Sequence, residues 1–537
     1  MTGLFEHLSI LPIVLPLAAG ALLVLIEDRH HTAKLVIDIV ATLLLLAVAL
    51  ALLVRTGDGG ASVTTTYRLG DWPAPFGIVL VVDRLSALMV VLTSVLAVTS
   101  LVFSAARWHR AGSHFHSIFQ LLLMGLNGAF LTGDLFNLFV FFEVLLAASY
   151  GLLLHGSGAA RVKAGLQYIA INLATSSLFL VGVSLIYGVT GTLNMADLAV
   201  RIPLVPEADR MLLEAGAAIL GLAFLVKAGM WPLGLWLPTA YSAASPPVAA
   251  MFAIMSKVGI YVVLRLSLLL FGDGAGASAH FGSEWLFYGG LATIAFGTIG
   301  VLSSREMARM AGFSVLVSSG TLLAIIAYEN AGVTAGALYY LVNSTLALSC
   351  FFLIVDVMER GRSAEASILA VTLEAFGDDE EPVHEEEIGI ATPRALTALG
   401  MAFTCCALLL AGMPPFSGFV AKFAMITAVF NLDGLGVPTV ISAGSWVLVT
   451  LLIVSGLGSM IALLRMGINT FWVTFDGDVP RIRGVEMLPI LALLALCLLL
   501  TMLAGPAMTY MEATAQALHL PGGYVGTVLG TGAGGTP

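Results

Sequence analysis

In a chain of 537 residues, 10% charged and 59% hydrophobic side chains exclude a soluble domain, which carries about 25% charged residues. The net charge of −10 comes largely from one acidic loop, and no nucleic-acid partner is expected. Apolar runs near 20 residues recur from end to end, long enough for a hydrocarbon core of about 30 Å, and the ~10-residue alternating segments of a β-barrel are missing. The fold class expected is an all-α polytopic membrane protein, embedded in a lipid bilayer.

Taken in order, the apolar runs predict about fourteen transmembrane helices: 8–27, 34–54, 78–105, 115–132, 134–154, 163–188, 211–240, 244–270, 285–302, 306–328, 332–357, 395–431, 444–467 and 485–506. No Lys or Arg precedes the first run, so it reads as a retained helix and not a signal peptide. The seventh and twelfth runs are too long and too rich in Pro and Gly for one straight helix, and each predicts two half-helices broken at Pro232 and at Pro414 and Pro415. Four regions follow: three N-terminal helices over 1–110, a first repeat over 111–270, a second over 284–470 with an acidic loop at 360–394, and a C-terminal helix and disordered tail over 471–537. The acidity concentrates in FGDDEEPVHEEE at 376–387, and the tail from Gly522 is Gly- and Thr-rich.

Basic residues orient the spans. Alternate loops carry fourteen of them on one side, including Arg107, Arg161, Arg305, Arg360 and Arg483, against Arg55, Arg68, Arg201 and Arg210 on the other, with Arg84 and Arg265 near that side's helix ends. The richer side should be cytoplasmic, which puts both termini outside. An internal repeat agrees with the count. Ala228-Gly229-Met230-Trp231-Pro232 and Ala411-Gly412-Met413-Pro414-Pro415 lie five predicted helices apart, an odd number, so their units enter the membrane from opposite sides. That predicts two inverted five-helix repeats, helices four to eight and nine to thirteen.

Charge inside the spans is where chemistry is expected, because an intramembrane ionisable group costs at least a few kcal/mol. Glu143 stands in DLFNLFVFFEVLLAASYGLLL, and three of the five lysines, Lys227, Lys257 and Lys422, fall inside spans. Each lysine has a plainer role open to it, snorkelling or a static salt bridge. A desolvated lysine, however, can bind and release a proton near neutrality, which arginine cannot. A Glu143–Lys227 interaction, direct or through water, is therefore expected to anchor a proton relay. Asn172, Thr175, Ser176, Ser177, Ser245, Ser256, Asn343, Ser344 and Thr345 can host water along it, or simply join helices by hydrogen bonds.

Other polar positions read more plainly. Asp134 suits a helix cap, and Asp83 with Arg84 a structural pair. His30, His31, His109, His114 and His116 fall in loops where solvent exposure is expected, while His155 follows the fifth helix and can pass protons to the surface. The four cysteines, all in apolar runs without CxxC spacing, predict no disulfide and no metal or iron–sulfur centre. Without a phosphate-binding glycine loop, a nucleotide fingerprint or HExxH, no cofactor is expected, and the chain reads as a transporter subunit rather than an enzyme, run by an ion gradient or driven by a partner.

GDLFNLFVFFEVLLAASYGLL, FLVKAGMWPLGLWLPTAYSAASPPVAAMFAIMSKVGIY and AGMPPFSGFVAKF resemble the antiporter-like subunits shared by respiratory complex I and the Mrp cation/proton antiporters. The NLFVFFEVLLAASY form is most similar to the D subunit of the Mrp complex. The resemblance implies fourteen helices, inverted repeats and a bacterial or archaeal cell membrane. It also implies a hetero-oligomeric complex that exchanges Na⁺, or another monovalent cation, for H⁺. It assigns the relay to Glu143, Lys227, Lys257 and Lys422. Asn343, Ser344 and Thr345 stand where many members carry histidine and lysine, a departure that interrupts the titratable row. Two other readings stay open, a proton-pumping subunit of a redox-driven complex and an anchoring scaffold. No carboxylate cluster identifies a Na⁺ site, so the cation is expected to cross in a partner subunit.

Overall fold

The computed structural model describes residues 7–27, 29–57, 64–112, 114–156, 158–374, 393–432, 434, 441–471 and 482–530, with the side chains of 361–374 and 393–395 set aside. Within them the protein is helical nearly throughout. The N-terminal region holds α1 (Leu11–Leu25), α2 (His31–Gly57), a hairpin of β1 (Thr65–Arg68) and β2 (Val79–Val82), and α3 (Arg84–Ser104). Next come α4 (Phe115–Leu131), α5 (Leu135–Leu153), α6 (Ala159–Thr190), the short α7 (Met195–Arg201), α8 (Glu207–Ala228), α9 (Leu237–Ala243) and α10 (Pro246–Leu270). Then follow α11 (Ser283–Ser303), α12 (Met307–Ile326), α13 (Ala331–Glu374), α14 (Pro393–Ala411), α15 (Ser417–Phe430) and α16 (Ala443–Phe471). The chain closes with α17 (Gly484–Met502), α18 (Ala504–His519) and α19 (Gly522–Leu529).

Among the described residues, eleven helices are long and apolar enough to cross a membrane, and α1, α4, α14 and α15 are shorter apolar helices. The burial pattern is that of a bundle in lipid. The apolar windows of α10 and α13 are wholly buried and that of α12 nearly so, whereas α2 and α17 bury only a third. The peripheral helices turn Leu43, Leu44, Ile453, Leu457 and Leu491 outwards. Such an apolar exterior suits acyl chains and not water.

Every predicted span has its helix, and the two long ones are broken as expected. Two local features depart from the sequence reading. The run at 78–105 opens as a strand, because β-branched Val79, Val81 and Val82 pair antiparallel with β1, and the helix starts only after Asp83 caps it. The Gly-rich tail is helical over Gly522–Leu529, where buried Tyr524 and Val528 hold it to the bundle. The acidic stretch 376–387 and residues 531–537 lie outside the described residues.

Candidate functional site

Both helix breaks are built alike. In the first, α8 ends at Gly229 with φ +81°, and the Met230 N–H reaches back to the Leu225 carbonyl at 3.0 Å. In the second, α14 ends at Gly412 with φ +74°, and the Met413 N–H reaches the Leu408 carbonyl at 3.0 Å. This five-residue return is a glycine-capped helix end, which needs a residue at ease with positive φ. Every backbone carbonyl freed inside an apolar bundle needs a donor. Trp236 Nε1 serves Val226 at 3.3 Å, and Lys422 Nζ serves Ala411 at 2.9 Å. One lysine therefore stands at each break, Lys227 in the last turn of α8 and Lys422 against the end of α14. The carbonyl end of a helix carries about half a negative charge, which favours an ammonium there.

Lys227 is 1% exposed and Lys257, on the wholly buried α10, is 0% exposed. Among the described residues neither has a carboxylate within ion-pairing distance. Instead each donates into hydroxyls. Lys227 Nζ lies 3.4 Å from the Tyr168 hydroxyl, which is 2.9 Å from Ser149 Oγ, which donates to the Leu146 carbonyl. The rings of Phe142 and Tyr168 flank the ammonium at 5.4 and 5.6 Å. Lys257 Nζ donates to Ser318 Oγ at 2.8 Å, which donates to Ser344 Oγ at 3.0 Å.

Of the two forms expected, the direct Glu143–Lys227 contact is not made; the carboxylate acts on the ammonium at a distance, by its charge. Glu143 is half-buried on α5 and accepts a hydrogen bond from Ser176 of α6. The Tyr168 hydroxyl occupies the place at Lys227 that a carboxylate would take. Asn172 donates to the Tyr168 carbonyl, leaving its buried Oδ1 unpartnered. On α13 the two neighbours Asn343 and Ser344 face opposite ways. Ser344 closes the Lys257 set, while Asn343 Oδ1 accepts from Ser417 at 2.7 Å, on the same helix as Lys422. Thr345 bonds only its own helix, at the Leu341 carbonyl. The Ser245 hydroxyl is buried and unpartnered. Among the described residues no side-chain hydrogen bond joins the Lys227 set to the Lys257 set. What joins them is packing: a Cβ on Gly259 of α10 would lie 2.8 Å from the Ala228 nitrogen. Chemically, the site offers buried amines beside hydroxyls, an arrangement that can carry protons once water spans the gaps.

Tyr168, Ser149, Ser318 and Ser417 are absent from the sequence-derived set. Tyr168 was within reach, since Tyr168, Asn172, Thr175 and Ser176 follow helical spacing and make one polar stripe.

Other expectations need correction. Asp83 pairs with Arg265 of α10, Nη2 to Oδ1 at 2.9 Å, rather than with its neighbour Arg84, because a carboxylate that caps a helix faces away from the next side chain. Asp134 caps α5 as expected, accepting from Phe136 and Asn137. His109 and His116 are not solvent-exposed but buried, since helices α2 and α4 close over them. His155 is likewise buried, its Nε2 2.9 Å from the Trp108 carbonyl, and burial lowers its pKa.

The family described as NADH:quinone oxidoreductase/Mrp antiporter, transmembrane, matches residues 132–450. A protein of Rhizobium meliloti, named as the D subunit of a probable K(+)/H(+) antiporter, is 59% identical, over 97% of each chain. The D subunit of the Na(+)/H(+) antiporter of Alkalihalophilus pseudofirmus is 33% identical, over 98% of this chain and 99% of its own. A chain in the solved Mrp complex of Dietzia sp. DQ12-45-1b superposes with a TM-score of 0.81 at 26% identity, over 98% of this chain and 100% of its own. The chain therefore belongs to the NADH:quinone oxidoreductase/Mrp antiporter transmembrane family.

Proposed function

We propose that this chain is the proton-conducting membrane subunit of a multisubunit monovalent cation/proton antiporter of the Mrp type. The observation that carries this reading is the row of lysines Lys227, Lys257 and Lys422, each donating to a hydroxyl or carbonyl where a static ion pair would need a carboxylate. A lysine so placed can lose its proton without leaving a buried carboxylate uncompensated. Glu143 with Ser176 forms one end of the relay, and Asn343, Ser344 and Ser417 bridge α13 towards Lys422. The two matching glycine-capped breaks support an inverted repeat. The fourteen spans put both termini outside a bacterial or archaeal cell membrane.

The relatives' names supply both K⁺ and Na⁺ as exchanged ions. In this reading the cation crosses in a partner subunit, so the chain alone performs no exchange. Vesicles carrying the assembled complex, challenged with KCl, NaCl or LiCl while internal pH is followed, test both points. Lys227→Ala, Lys257→Ala and Lys422→Ala should each slow exchange by roughly tenfold or more, equivalent to about 1.4 kcal/mol on the barrier. Full exchange by the three variants, or by the chain without partners, refutes the reading.

The family description also names NADH:quinone oxidoreductase, which keeps a second reading, a proton-pumping subunit of a redox-driven complex. Co-purifying subunits separate the two. Small hydrophobic subunits without chromophores accompany an antiporter; flavin and iron–sulfur absorbance accompanies a redox pump.

A further inference from the structure

The N-terminal helices hold a second buried polar cluster, apart from the lysine row. It begins at half-exposed His31, the first residue of α2. His109, in the turn between α3 and α4, lies 6.3 Å from His31 between ring centroids and is 3% exposed. His116 of α4 lies 5.5 Å further on, also 3% exposed. Its Nδ1 is 2.6 Å from Oδ2 of Asp38, a carboxylate of α2 that is 0% exposed. Gln120 Nε2 bonds both Asp38 Oδ1 and Thr42 Oγ1, closing the inner end. Burial thus deepens along the row from the surface to Asp38.

Three buried atoms in this row have no partner: His109 Nδ1, His116 Nε2 and Gln120 Oε1. Each of the two rings thus keeps a nitrogen with no other partner, as a proton passing from His109 to His116 would need. The other charged or titratable groups nearby are Lys34, one turn before Asp38, Arg110 beside His109, and His155 across the Phe115 ring. Burial, with His116, Arg110 and His31 close by, pushes the His109 imidazole down to about 4, so it stays neutral and passes a proton without holding one. An ionised Asp38 would be a buried charge held by hydrogen bonds alone, whereas one proton shared with His116 leaves the pair neutral overall.

We propose that His116 and Asp38 form a proton-holding dyad loaded from the surface through His31 and His109. One proton leaves bulk water for the exposed imidazole. Each ring in turn gains an N–H bond on one side and gives up its proton on the other, with one water or a ring rotation closing each gap. The proton ends shared between His116 Nδ1 and Asp38 Oδ2. The inference does not depend on the transport reading, since the dyad lies outside residues 132–450 and off the lysine row.

Infrared difference spectroscopy after a pH jump, on the full-length chain in lipid nanodiscs, tests it. The wild type should show a carboxyl band and an imidazole band that titrate together. Asp38→Asn and His116→Gln should each remove both bands, because one proton serves both groups. His109→Phe keeps the ring packing, so the bands should persist but rise more slowly by about tenfold or more. Unchanged bands in either dyad variant, loss of one band without the other, or a wild-type rate in His109→Phe would overturn the proposal. Should a dyad variant fail to fold, the His109→Phe rate decides by itself.

Discussion

Lys227 combines three features at one atom: a helix carbonyl end, two aromatic faces and a tyrosine hydroxyl. Ring faces attract an ammonium by roughly 0.5–2 kcal/mol, and more as water is excluded. They stabilise the charged lysine without fixing the proton, as a carboxylate in direct contact would. Tyr168→Phe keeps the ring and removes the hydroxyl, leaving the ammonium one acceptor short, at a typical cost of about 1–3 kcal/mol. The expected outcome is an assembled complex with reduced exchange and a lower melting temperature. Lys227→Arg should assemble and stay inactive, because a guanidinium keeps its proton. Wild-type exchange in the arginine variant would make Lys227 a structural cation.

The helix breaks are where an element, rather than a side chain, sets the chemistry. At Gly412 an added Cβ would meet Lys422 Cδ at 2.7 Å and Cε at 2.9 Å, in a backbone conformation of positive φ. Gly412→Ala therefore costs about 1–2 kcal/mol in backbone strain alone, and it pushes the ammonium off the Ala411 carbonyl. Gly221 sits mid-helix in α8 with open space around it, so Gly221→Ala should be neutral, or stabilise by up to about 1 kcal/mol. Thermal melting and exchange measured side by side should show loss of both in the first variant and neither in the second. The breaks were legible because Pro and Gly interrupt apolar runs visibly. The β1–β2 hairpin was not, since Val79–Val82 is as apolar as the helix behind it and hydropathy has no sign for extended backbone.

At the scale of the whole molecule, the orientation is exposed to a direct test. The sequence reading expects the side with fourteen basic residues to be cytoplasmic, and the acidic stretch 376–387 to belong to it. Glu385→Cys should resist a membrane-impermeant thiol reagent in intact cells and react once the membrane is opened. Fast labelling from outside would reverse the topology.

Composition and spacing alone showed that this chain is a bundle of apolar helices, where two of them break, and which charges lie on apolar helices. These properties are local: an apolar run, a proline or a lone lysine announces itself to any solvent. Which groups meet was decided by packing. Tyr168 touches Lys227 where Glu143 acts only at a distance, Ser318 received Lys257, Arg265 displaced Arg84 at Asp83, and His116, expected in water, became buried beside Asp38 with His109 packed behind it. The α6–α8, α10–α12 and α2–α4 contacts that set these pairs join residues 59, 61 and 78 positions apart, and Asp83 lies 182 positions from Arg265; helical periodicity says which face a side chain occupies but not which helix covers it.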